Sequence, residues 1–273
     1  MTSLDSGHAS PYATGGGGTV LEHAYGATLL AALLQRLPVS SLGDEFTPRE
    51  VRFQQSALCP VDDLVVVGDC PTGTRTMFVG VRRDPTIGAS SSSFVSLLAD
   101  YLQVVIDHRV ELDADRERLA LAVAAPHTAA GEVKQLAYLA RRQRDDPAFR
   151  AAVGAPKATN GKVRARLRNL DEVVTAAAVR GVIRLASDTD RSDLTWRLLR
   201  TLRIIELRLE GDDPADRTLV VSQLVPLVGS AARAVDLWRS LTELSSGYAQ
   251  ARCHEMRRTS RAVMRVPLIT PSR

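Results

Sequence analysis

The chain is short of aromatic residues, of cysteine and of long apolar runs, and each shortage removes a class of protein. Phe, Trp and Tyr make up 4% of the 273 residues. A core must therefore be assembled mainly from Leu, Val and Ala, and a base-stacking surface for single-stranded nucleic acid has little to draw on. The three cysteines, Cys59, Cys70 and Cys253, are odd in number and show no paired spacing. They support neither a disulfide framework nor a zinc knuckle, and they suit a reducing cytoplasm. No apolar stretch approaches the roughly 18 residues of a membrane span, and the polar, glycine-rich start does not read as a signal peptide.

Common catalytic signatures are missing as well. In GDCPTGTRT, Thr74 stands where a phosphate-binding loop needs lysine, and the segment closes a hairpin; in GAPKATNGKV the spacing is wrong and Val163 replaces Ser or Thr. No Gly-x-Ser-x-Gly elbow and no His-Glu-x-x-His pair occurs, so serine hydrolases and zinc proteases lack support. The five histidines, at 8, 23, 108, 127 and 254, are scattered.

What is present is ordinary for a globular protein: 45% hydrophobic and 24% charged residues, a net charge of +4 and an isoelectric point near 9.2. That modest excess permits contact with nucleic acid without requiring it. The densest basic tract holds Lys157, Lys162, Arg164, Arg166 and Arg168 with no acidic residue. It reads either as a solvated helix face or as a phosphate-binding patch for duplex DNA.

Periodicity gives an α/β fold in three parts. Residues 1–18, with a four-glycine run, read as a disordered tail. Residues 19–126 read as an α/β core: an amphipathic helix over 19–36, an antiparallel meander of strands at 51–55, 64–67 and 77–81, a helix over 94–107 and a buried strand at 118–124. Residues 127–273 read as a helical region with helices near 130–145, 147–153, 161–179, 191–202, 214–228, 231–247 and 250–263, and one added strand at 204–209.

The hairpin carries the chemistry. Asp63 opens one strand, and a turn over 68–74 brings it level with about residue 80, next to Arg82; Glu22 lies in the first turn of the first helix. On its own this is a cross-strand ion pair worth about 0.2 to 1 kcal/mol. The run GGGGTVLEHAYGATLLAALL…EVRFQQSALCPVDDLVVVG…RTMFVGVRR, from Gly15 to Arg83, resembles the amino-terminal nuclease domain of bacterial antiphage proteins. These are Cap-type effectors of PD-(D/E)XK, restriction-endonuclease-like fold that precede STAND-type NTPase or sensor modules in CBASS-like systems. The later segments RLALAVAAPHTAAGEVKQL, WRLLRTLRIIELRLEG and AVDLWRSLTEL resemble the helical part of such effectors.

The resemblance places Glu22, Gln54, Asp63, Gly80 and Arg82 on the motif positions. It implies Mg²⁺ held by Asp63 and Glu22, with Arg82 stabilising the transition state of duplex DNA cleavage. Two positions depart from the pattern. Gly80 offers no side-chain oxygen, and Arg82 replaces a lysine with a group that clamps phosphate but does not release a proton. Asp84 supplies a carboxylate only if the strand continues past Pro85. Two readings stay open: a Mg²⁺-dependent DNA endonuclease, and an inactive copy serving as DNA reader or interaction element. The cysteine usage and the lack of an apolar span lead us to expect a cytoplasmic protein with no membrane partner, and the resemblance further implies a homo-oligomer and a polypeptide that continues into an NTPase or sensor module.

Overall fold

The computed structural model describes residues 16–43, 45–53, 60–61, 63–156 and 158–255. Residues 1–15 of the expected tail, Gln54, Lys157 and the helix expected beyond residue 255 lie outside the described residues. The architecture is α/β: a five-stranded mixed sheet between two helical layers, its second half mostly helical.

The order is α1 (Gly16–Gln35), β1 (Thr47–Phe53), β2 (Leu64–Cys70), β3 (Gly73–Arg82), α2 (Ser92–Asp107), α3 (Arg109–Asp113) and β4 (Glu117–Ala124). Then come α4 (Thr128–Arg141), α5 (Asp146–Gly154), α6 (Gly161–Arg180), α7 (Asp188–Thr201), β5 (Leu202–Leu207), α8 (Ala215–Val228) and α9 (Ala231–Glu255). Helix α1 begins inside the four-glycine run, where the first amides have no intrahelical partner in any helix and glycine is least costly. It ends at Arg36 in the left-handed conformation (φ 53°), with the Leu37 amide donating to the Ala32 carbonyl at 3.0 Å and Pro38 blocking continuation.

The strands lie in chain order, β1-β2-β3-β4-β5. The first three form an antiparallel meander, and β3–β4 and β4–β5 are parallel pairs. Helix α2 makes the first parallel crossover and α4 to α7 the second. The hairpin between β2 and β3 is tighter than expected, because Gly68–Arg75 and Asp69–Thr74 still pair and only Pro71 and Thr72 remain as the turn. Gly73 follows at φ 115°, a conformation that favours glycine.

Period-two alternation sorts the sheet into two cores. Val65, Phe78, Leu119, Leu121, Val123 and Ile204 face α2, α4, α6 and α7. Leu64, Val66, Met77, Val79, Val81, Ala120, Ala122 and Ile205 face α1, α8 and α9. Strand β4 thus presents Leu and Val to one layer and Ala to the other, and burial on both faces explains its nearly continuous apolar sequence. Each core draws residues from both sides of position 126, so the expected core and helical region share one sheet and its two packing layers.

Candidate functional site

The end of β3 and the residue just ahead of β2 meet as their register dictates. Leu64 pairs with Val79, so one further step sets Asp63 opposite Gly80. The Asp63 Oδ2 atom accepts from the Val81 amide at 2.7 Å and from Arg82 Nη1 at 2.5 Å. The same Arg82 nitrogen donates to the Val81 carbonyl at 2.7 Å. Asp63 is 14% and Arg82 33% exposed. This is a partly dry, charge-assisted pair, stronger than a solvated one. A dication bound at Asp63 Oδ2 would lie beside the guanidinium and be repelled by it.

Position 80 is closed. Its Cβ would lie 2.6 Å from the Tyr101 hydroxyl and 2.8 Å from Leu97 Cδ1, both on α2. That hydroxyl accepts from the Gly80 amide at 3.0 Å and donates to the Ala120 carbonyl at 2.6 Å. Burial raises the Tyr101 pKa far above the ordinary phenol value, and the charges of Arg82 and Asp63 act on it in opposite directions. Alternation with Val65 and Phe78 puts Asp63 and Arg82 on the α2 side of the sheet.

Glu22 belongs to α1, whose buried residues Leu21, Tyr25 and Leu29 pack in the opposite core. The structure brings Asp63 and Arg82 together and places Glu22 in the layer across the sheet. Asp84, 92% exposed, stands 3.3 Å from His127 Nε2. His127 is a helix cap: its Nδ1 accepts from the Ala130 amide at 3.1 Å, so Nε2 carries the proton and donates to the Pro85 carbonyl at 3.1 Å. Among the described residues no three His, Cys, Asp or Glu side chains gather to hold a metal ion. With Oδ2 of Asp63 held by a guanidinium, no oxygen at Gly80 and Glu22 across the sheet, these residues do not fit Mg²⁺.

The basic tract divides along α6. Arg166 donates from Nε to Glu132 at 2.8 Å and from Nη1 to the Ile87 carbonyl at 2.7 Å, tying α6 to α4 and to the segment before α2. Arg164 donates to the Thr159 carbonyl at 3.0 Å. Lys162 and Arg168 are exposed. Two of the four described cations thus serve the fold.

Sequence reasoning missed a cavity of ≈ 480 Å³ in the other helical layer, with Arg83, Glu210, Arg217 and Arg239 in its lining. Arg83 shares the alternation of Val79 and Val81, which turns it toward α1 and away from Asp63. Its companions lie more than a hundred residues along the chain, so no local signal joins them. No single helix among the described residues is long and apolar enough to cross a membrane.

No family model and no curated protein matches the chain. Among solved structures it is similar to an Acinetobacter baumannii Cap4 SAVED/CARF-domain containing receptor with the cyclic trinucleotide 2'3'3'-cAAA, at 10% identity and a TM-score of 0.40. The likeness covers 85% of this chain and 42% of that one, so the chain spans less than half the length of that receptor.

Proposed function

We propose that this chain is a nuclease-fold module that does not cut DNA and serves as an interaction or sensing element of a larger antiphage-defence assembly. The observation that carries the reading is the Asp63–Arg82 pair. Cleavage of this class needs a carboxylate set that holds a divalent ion against the scissile phosphate and a cation that orients water. Here one such carboxylate is matched by the residue at the cation position, and the space for a second ligand at Gly80 is filled by Tyr101. The resemblance of residues 15–83 supplies both the nuclease-fold reading and the defence setting, and α1 followed by a three-stranded antiparallel meander is compatible with it. The partner is an appended NTPase or sensor module, or a separate protein, docked on the helical layers.

Supercoiled plasmid incubated with the protein and Mg²⁺ or Mn²⁺ tests the reading. The expected result is no nicking at any protein concentration, with Asp63→Asn indistinguishable from the native chain. Nicking by the native protein that disappears in Asp63→Asn would overturn it.

A further inference from the structure

The cavity lined by Arg83, Arg217 and Arg239 lies across the sheet from the Asp63–Arg82 pair, at the end where parallel strands β3 and β5 finish. In open α/β sheets the carboxyl ends of parallel strands are where ligands collect. Its ≈ 480 Å³ falls within the range of small-molecule sites. Val20, Leu209 and Val235 supply apolar wall, and three guanidinium groups face the carboxylates of Glu210 in the lining and of Asp236 beside it, an excess of one positive charge.

The three arginines are unequally committed. Arg83 Nε stands 2.9 Å from Glu210 Oε2. Arg239 makes a surface pair with Asp236 at 3.0 Å, both about two-thirds exposed, the kind of contact that contributes little and is readily exchanged. Arg217 makes no hydrogen bond or ion pair among the described residues. Arg83 paired with Glu210, Arg239 in an exchangeable surface pair and Arg217 beside them, around an apolar wall, make an arrangement for an anionic group with a nonpolar body. A phosphomonoester meets both demands: its second ionisation lies near pH 6, so it is largely a dianion above neutrality, and its oxygens accept from guanidinium in pairs.

We propose that this cavity binds a small phosphomonoester of nucleotide size, the phosphate held by Arg217 and Arg239 and the organic body against Val20, Leu209 and Val235. The site is independent of whether the chain cleaves DNA.

The test is calorimetric titration of the whole chain with AMP and with adenosine at pH 7.5. Saturable AMP binding is expected, with adenosine at least tenfold weaker. Arg217→Ala should lower AMP affinity about 10- to 100-fold, as loss of a hydrogen bond to a charged group does, and Arg239→Ala should lower it less. Both side chains are exposed, so the melting temperature of each variant should match the native chain and separate lost binding from lost folding. The proposal is overturned if AMP does not saturate, if adenosine binds as well, or if the Arg217→Ala/Arg239→Ala protein keeps native affinity. It is also overturned in favour of a nucleic-acid backbone if a short DNA duplex displaces AMP and shows the same variant dependence.

Discussion

Replacing Gly80 with alanine probes the closure of the site. The added Cβ would meet the Tyr101 hydroxyl at 2.6 Å and Leu97 Cδ1 at 2.8 Å. The leucine methyl is the end of a flexible side chain and yields. The hydroxyl is fixed between the Gly80 amide and the Ala120 carbonyl, and moving it strips two buried backbone groups of a partner, at about 1 to 3 kcal/mol. Overpacking adds about 1 to 3 kcal/mol, and the stiffer unfolded chain returns about 0.4 to 1 kcal/mol. The net expectation is a destabilisation of about 1 to 5 kcal/mol, read as a lower urea midpoint at unchanged slope. Tyr101→Phe removes the obstructing oxygen, so the double variant should be less destabilised than the sum of the singles by about 1 kcal/mol. A Gly80→Ala protein within about 0.5 kcal/mol of native, or strictly additive effects, would refute the reasoning.

Asp63→Ala should lose about 1 to 2 kcal/mol of unfolding free energy, because it leaves the Val81 amide and Arg82 without their shared acceptor; Asp63→Asn, which keeps an oxygen, should lose less by the same denaturation assay. Arg166→Ala should destabilise by about 1 to 3 kcal/mol through loss of its bonds to Glu132 and Ile87, whereas Lys162→Ala and Arg168→Ala should fall within about 0.5 kcal/mol of native. Burial lowers the His23 imidazole from its ordinary 6.5. The unfolded chain therefore takes up this proton more readily, and stability should fall as pH drops below about 6.5. Thermal melts of His23→Gln should show a shallower decline over that interval.

The elements were legible where a single period dominates. The Leu and Ala alternation of β4, the apolar rows of α2 and the turn residues around Gly73 set helix and strand correctly without tertiary information. The register of Asp63 against Gly80 followed from the hairpin alone. The short helix α3 was missed, since five residues, little more than one turn, carry hardly any periodicity of their own. The face assignments were beyond local reading. That Gly80 is filled from α2, or that α8 and α9 come back to cover α1, depends on crossovers of many residues. Even the basic tract, legible as charge, concealed the use of Arg166 as an internal tie, because its partners Glu132 and Ile87 lie 34 and 79 residues away.

Calorimetric titration of Mn²⁺ into the native chain and into Asp63→Ala bears most directly on the claim that Asp63 serves a guanidinium and not a metal. The expected result is no saturable site tighter than about 1 mM that depends on Asp63. A one-to-one Mn²⁺ site in the native protein, absent from a correctly folded Asp63→Ala variant, would contradict it.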